Sequence, residues 1–123
     1  MKTEIITKNN IKIASIVSSD IISDAQAAVD LMMTVKFQSD VKNIVIAKEL
    51  LADRFFVLSS GLAGEILQKF VNYNFCVAIY GDFSKYTSKP LKDFIYESNN
   101  GHSVFFADSL DDAVEKILNK ATH

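Results

Sequence analysis

The sequence contains few of the residues that form linkers, disulfides or reactive sites. Among its 123 residues there are one cysteine, one proline, four glycines and no tryptophan. The single cysteine, Cys76, excludes an internal disulfide. Scarce proline and glycine argue against an internal linker. Length and an ordinary composition therefore predict one domain over residues 1–123.

Arginine is nearly absent, because Arg54 is the only one among thirteen basic residues, and the formal net charge is −2. Nucleic-acid-binding domains usually carry a basic face in which arginine contacts phosphates and bases. We therefore expect no nucleic-acid partner.

Long apolar runs and a signal-peptide pattern are also missing. No run approaches the roughly 18 apolar residues that span a bilayer. The start of the chain, from Met1 to Glu4, lacks the apolar centre of a signal peptide. The sequence predicts a cytoplasmic protein without a membrane partner.

What is present is an alternation of strand and helix patterns in the order ββαβαβαβα. Strands are predicted at Glu4–Thr7, Ile11–Val17, Asn43–Ala47, Phe75–Tyr80 and Ser103–Ala107. Asn9-Asn10 tolerates the left-handed backbone of a tight hairpin between the first two. The pattern predicts an α/β fold with helices on the faces of a mostly parallel sheet of about five strands, one edge strand being antiparallel.

Four helices follow from apolar residues at helical spacing. The first is predicted to start at Ser23, with Gln26 as its capping-box partner, and to end between Phe37 and Ser39. Its predicted buried stripe is Ala25, Ala28, Val29 and Met32. The other three stripes are Leu62, Ile66, Leu67, Phe70 and Tyr73; Leu91, Phe94 and Ile95; and Leu110, Ala113, Val114, Ile117 and Leu118.

Polar residues are predicted to open the helical segments. Ser88 is the expected cap of the third helix, and Ser109 with Asp112 is expected to open the fourth. Asp53 is expected to cap a helical turn that carries Phe55 and Phe56.

The stretch Ser59-Ser60-Gly61-Leu62, which opens the second helix, is similar to the Asp-Ser-Ser-Gly-Leu stretch of anti-sigma-factor-antagonist (STAS) domains. In that family a partner kinase phosphorylates the first serine, and the surrounding surface binds this partner. The resemblance implies a STAS-like fold and makes Ser59 a candidate phosphorylation site. The chain departs from the pattern at Leu58, where the family has aspartate.

Three longer stretches resemble a bacterial family known as domain of unknown function 4180. They are Gly61–Phe70, Gly81–Tyr86 and Asp93–Ser98. The resemblance extends over nearly the whole chain, and it implies no established activity.

The candidate partner or ligand surface lies where the parallel strands end, because ligands of such sheets gather at the carboxyl ends of the strands. This rim collects Ser18 to Asp20, Lys48-Glu49, Gly81 to Tyr86 and Asp108-Ser109. Its candidate residues are Ser59, Ser60, Gly61, Gly64, Gly81, Asp82, Ser84, Lys85 and Tyr86. An alternative is a plain loop in which Asp82 and Ser84 satisfy backbone groups of a turn. The glycines at 61 and 64 are interpreted as allowing close helix packing.

No set of residues with the spacing of a catalytic or metal site is present, so we expect no catalytic residues, no metal and no cofactor. Asp20, Asp82 and Asp108 end strands, and clustered carboxylates can hold Mg²⁺. A magnesium-binding receiver domain also needs an acceptor aspartate at the end of its central strand, but the strand here ends in Ala47-Lys48. A triad of Ser59 or Ser60 with His102 and Asp82 lacks a Gly-x-Ser-x-Gly elbow. Cys76 is interpreted as a small core residue.

These observations favour a non-enzymatic regulatory or protein-interaction domain with an unidentified protein partner. The alternative is a small-molecule-binding protein or an unrecognised enzyme that uses the rim around Gly81–Tyr86. A homodimer fits either role, through the exposed first strand or through Phe83, Tyr86 and Tyr96.

Overall fold

A computed structural model describes residues 1–121, which are organised around a five-stranded sheet. Its strands lie in chain order: β1 (Lys2–Lys8), β2 (Ile11–Ser18), β3 (Asn43–Ala47), β4 (Cys76–Tyr80) and β5 (Val104–Ala107). β1 pairs with β2 antiparallel, and the remaining neighbours are parallel. The predicted α/β fold and its antiparallel edge strand are confirmed.

Four α-helices alternate with the strands as predicted: α1 (Ala25–Ser39), α2 (Leu62–Asn72), α3 (Lys89–Asn99) and α4 (Leu110–Ala121). Three short 3₁₀ turns connect β3 to α2: Lys48–Leu50, Asp53–Phe56 and Leu58–Ser60. The β1–β2 hairpin turns at Asn9 and Asn10, whose φ angles of 54° and 65° are left-handed, as the sequence predicts.

The helices lie in two layers, because alternate residues of each strand point to opposite faces of the sheet. Ile44 and Ile46 of β3 pack with α1, α2 and α3, whereas Val45 between them packs with α4. Right-handed crossovers between successive neighbours require the three connecting helices to share one face. α4 follows the last strand and covers the other face.

Two predicted helix caps are wrong. α1 is capped by Asp24, whose Oδ1 accepts a hydrogen bond from the Ala27 N–H at 2.8 Å, and Gln26 instead donates to Asp30. The turn that carries Phe55 and Phe56 begins after Ala52, so Asp53 lies inside it and does not cap it. The hydroxyls of Ser88 and Ser109 accept from Leu91 and Asp112 N–H groups, which confirms those two caps.

The predicted buried stripes of α3 and α4 are confirmed in part. Leu91 is buried as predicted, whereas Phe94, Ile95 and Leu110 are only half-buried.

The predicted stripes of α1 and α2 are also confirmed only in part. In α1, Leu31 and Val35 complete the buried set, while Ala25 and Val29 are only half-buried. Tyr73 follows the last residue of α2 and is exposed.

None of the helices in residues 1–121 combines the length and the apolar composition needed to cross a bilayer.

Candidate functional site

The carboxyl ends of the parallel strands form a rim at which Lys48 and Gly81 are in direct contact. Lys48 follows β3 and Gly81 follows β4. A Cβ atom placed on Gly81 would lie only 2.7 Å from Lys48 Cδ, and the Gly81 φ angle of 151° also disfavours a side chain. Glycine is therefore required at position 81 for the close approach of Lys48.

Lys48 is the charged residue most deeply buried at this rim, with 8% of its surface exposed. Its ammonium nitrogen lies 3.8 Å from Glu49 Oε1 and 5.2 Å from the centre of the Tyr86 ring. Lys85 places its own ammonium at the same distance from that ring. We call Lys48, Lys85 and Tyr86, with the neighbouring Asp82, the Tyr86 cluster. It places two cations against one phenol ring, where cation–π attraction holds them.

Asp82 shapes the loop of this cluster. Its Oδ1 accepts a hydrogen bond from the Ser84 N–H at 2.9 Å, which closes a tight turn. Hydrogen bonding to Ser84 lowers the pKa of the Asp82 carboxyl, and the charges of Lys48 and Lys85 lower it further. Nearby, burial raises the pKa of Tyr80, with a smaller contribution from Glu49. The Asp82–Ser84 bond thus has the local structural role that the sequence offered as an alternative.

The two serines before α2 differ in what they contact. The Ser60 hydroxyl donates to the Arg54 carbonyl at 2.7 Å and accepts from the Leu62 N–H at 3.2 Å. Ser60 therefore stabilises the start of α2. Ser59 is exposed, and its hydroxyl has no hydrogen-bond partner among the described residues.

An aromatic stack joins the Ser59 segment to the Tyr86 cluster. The Phe56 ring lies 4.8 Å from the Tyr86 ring with an interplanar angle of 20°. Beside the stack is a groove of about 460 Å³, here called the Ser59 groove. It is lined by Phe56, Val57, Leu58, Ser59, Ser88 and Pro90. Ser59 and the Gly81–Tyr86 loop consequently lie on the same side of the molecule.

Phe56, Val57 and Pro90 are residues of this surface that the sequence reasoning missed. The adjacent Phe55 and Phe56, in a stretch without helical or strand periodicity, were the available signal. Two large aromatic side chains there must pack across a long-range contact or remain exposed.

The glycines of the α2 start do not serve close packing, which corrects the sequence interpretation. A Cβ atom at Gly61 or Gly64 would meet no atom within 4 Å. Gly61 is instead explained by its φ angle of 80°. Nothing within the described chain explains Gly64, which is exposed in the first turn of α2.

The remaining candidates are a histidine, three aromatic residues and possible metal ligands. His102 precedes β5 and therefore lies at the amino-terminal ends of the parallel strands, whereas Asp82 follows β4 at their carboxyl ends. Of the three aromatics predicted as possible dimer contacts, Phe83 and Tyr86 are half-buried and Tyr96 is 71% exposed. No group of three or more His, Cys, Asp or Glu side chains within residues 1–121 is placed to hold a metal ion.

Comparison with known proteins gives one match. Neither the curated proteins nor the solved structures contain a significant match to this chain. The sequence profile of the domain of unknown function DUF4180 matches residues 8–117. This range includes β2 to β5 and both parts of the candidate surface, so the chain belongs to the DUF4180 family.

Proposed function

We propose that this protein is a non-enzymatic regulatory or protein-interaction domain that binds its partner with the Ser59 groove and the Tyr86 cluster. The observation that carries the proposal is the Phe56–Tyr86 stack, which joins the two parts into one surface. A cytoplasmic location belongs to the same proposal.

The lining of the surface suggests the chemistry of the partner. The groove is largely apolar, and Val57 on its wall is 55% exposed. Beside it, the exposed Lys85 ammonium lies over the Tyr86 ring. A partner segment that combines an apolar side chain with a neighbouring carboxylate or phosphate would fit both features.

Gly64 supports the proposal independently. Glycine inside a helix costs roughly 0.5–1 kcal/mol relative to alanine. No packing contact within the described chain requires it. Residues that lower stability and make no internal contact are expected at functional sites. At Gly64, the absence of a side chain allows the backbone of a partner to approach closely.

The resemblance to STAS domains, which remains a prediction, adds a regulatory element. Ser59 is exposed two residues before Gly61, at the start of α2. A phosphoryl group there would bring negative charge to the positive end of the α2 dipole and to the wall of the groove. We propose that phosphorylation of Ser59 changes partner binding.

Quantitative affinity capture with matched charge variants tests the proposal. Val57→Asp, Lys85→Glu and Ser59→Asp should each reduce capture of one common partner relative to the unmodified protein. Asn100→Asp is the control. Asn100 is exposed at the end of α3, just before β5, and so lies at the amino-terminal ends of the strands, away from the proposed surface. Equal capture by all variants would contradict the proposal.

A small-molecule site is the second candidate function, and the paired cations of the Tyr86 cluster are the observation that favours it. Lys48 and Lys85 each lie 5.2 Å from the same ring, and two positive charges close together favour a small anionic ligand. A ligand raises the thermal midpoint by mass action. A screen of nucleotides, phosphates and sugars should then give a rise that Lys85→Ala abolishes, whereas a flat screen of the folded protein would exclude these ligands.

A further inference from the structure

A cavity at the amino-terminal ends of the strands gathers basic side chains, although the formal net charge of the protein is −2. The cavity lies between the start of β5 and the last turns of α4, and its volume is about 330 Å³. No aspartate or glutamate is among the described residues that line it. Its wall includes Asn99, Gly101, His102, Phe105, Lys116 and Lys120. Pockets for small molecules begin at roughly 300 Å³, so a compact ligand fits this cavity.

Two lysines of α4 supply most of the positive charge. Lys116 and Lys120 are four residues apart and therefore lie on the same face of the helix, and both are half-buried. Lys116 Nζ lies 3.6 Å from Asp112 Oδ1, whereas Lys120 forms no salt bridge within residues 1–121. Like charges at this spacing destabilise a helix. A bound anion would remove that repulsion.

The surroundings of the lysines distinguish the cavity from an ordinary helix end. Lysines near the end of a helix complement its dipole, so these two alone would not indicate a binding site. The imidazole of His102 borders the same space and can donate a hydrogen bond. Phe105, which is buried, points from β5 towards α4 and supplies an apolar side. Apolar surface combined with a few convergent polar groups is typical of ligand pockets.

Asn99 holds one wall of the cavity in place. Its Nδ2 donates to the Phe106 carbonyl at 3.2 Å, and its Oδ1 accepts from the Phe106 N–H at 2.7 Å. These two bonds occupy backbone groups of β5, which is an edge strand of the sheet. They fasten the end of α3 to β5, so the cavity is already formed without a ligand.

We propose that this cavity binds a small molecule through a phosphoryl group, which is held by Lys116, Lys120 and His102. A phosphoryl group has three terminal oxygens and nearly two negative charges, so it can contact several donors at once. A carboxylate offers two oxygens and a single charge. The body of the molecule would lie against Phe105. This site lies at the end of the sheet opposite the Tyr86 cluster, and it is therefore separate from the proposed partner surface.

Isothermal titration calorimetry of the full chain with phenyl phosphate, at constant ionic strength, tests the proposal. We expect a dissociation constant on the order of 1 mM or lower. Lys116→Gln and Lys120→Gln should each raise this constant at least about tenfold, because each removes a charge-assisted hydrogen bond. Lys36→Gln is the matched control, since Lys36 is an exposed lysine on α1, across the sheet from α4. Absence of binding at about 20 mM, or the same constant in all variants, would overturn the proposal.

Two further probes and an NMR measurement test the chemistry and the place of binding. Inorganic phosphate lacks the ring and benzoate lacks the second charge, so both should bind more weakly than phenyl phosphate. Benzoate that binds as tightly as phenyl phosphate would overturn the choice of a phosphoryl group. Phenyl phosphate should shift the amide signals of Gly101 and His102 and leave those of Ser84 and Lys85 unchanged. Shifts confined to Ser84 and Lys85, with binding lost in Lys85→Ala, would place the anion at the Tyr86 cluster and overturn the proposed site.

Discussion

Cys76 is a residue whose chemistry is decided by its position in the sheet. It lies on β4 between the sheet and α4, with 3% of its surface exposed. Burial raises the pKa of its thiol to about 11, although the charge of Lys120 acts in the opposite direction. The thiolate is the reactive form of cysteine, so the folded protein holds Cys76 unreactive at neutral pH.

We therefore expect Cys76 to react slowly with a chromogenic disulfide reagent at about pH 8 and to react fully in denaturant. Because the folded pKa is above the ordinary value of 9.0, the thiol favours the folded state below that value. This contribution is lost as the pH rises through about 11. Rapid labelling of the native protein would contradict the burial of this side chain.

Gly61 and Gly64 are three residues apart and should respond oppositely to alanine. Gly61→Ala forces a side chain into a left-handed backbone and should lower the free energy of unfolding by about 1–2 kcal/mol. Gly64→Ala adds a methyl group in open space on a helix and should raise it by about 0.5–1 kcal/mol. Chemical denaturation measures both. Destabilisation by Gly64→Ala would mean that an unseen internal contact requires the glycine.

At the scale of elements, strands were easier to predict than helix entries. The β3 boundaries follow from its run of β-branched residues, and Asn43–Ala47 agrees with the sequence prediction. The predicted N-cap of α1, Ser23, is wrong because Ser23 and Asp24 are both favourable cap residues and the structure uses Asp24. The backbone of Ile22 pairs with the Leu50–Ala52 segment, which fixes where the chain turns into the helix. That contact spans some thirty residues and leaves no local signal.

The Asp24 cap can be tested against the residue that the sequence favoured. Asp24→Ala should lower the free energy of unfolding by about 1 kcal/mol, because the Ala27 N–H loses its acceptor. Ser23→Ala should change it by less than about 0.5 kcal/mol, since Ser23 is exposed outside the cap. Equal effects of the two substitutions in chemical denaturation would show that Asp24 is not the dominant cap.

For the molecule as a whole, the parallel order of strands was sufficient to predict where the rim lies. It was not sufficient to predict the Ser59 groove. That groove depends on Phe56 stacking on Tyr86, which are thirty residues apart and lie in segments without regular periodicity. The buried position of Lys48 depends likewise on the long-range approach of Gly81. Periodicity predicts layers, whereas a surface assembled from irregular connections is set by packing between them.

Two substitutions of Lys48 can distinguish its contribution to the stability of the molecule from its contribution to partner binding. Its aliphatic stem packs under Gly81, while its ammonium has only a distant ion pair and a ring contact. Lys48→Met keeps the stem and removes the charge, and replacing weakly paired buried charges by apolar groups is often neutral or stabilising. Lys48→Ala removes the stem as well and should lower the free energy of unfolding by about 1–3 kcal/mol.

Both variants should weaken partner capture if the ammonium contacts the partner, but only Lys48→Ala should lower the thermal midpoint. Differential scanning calorimetry and affinity capture on the same preparations separate the two effects. A midpoint that falls equally in both variants would assign the ammonium a structural role. Unchanged capture by a stable Lys48→Met protein would remove Lys48 from the binding surface and confine that surface to Lys85 and the Ser59 groove.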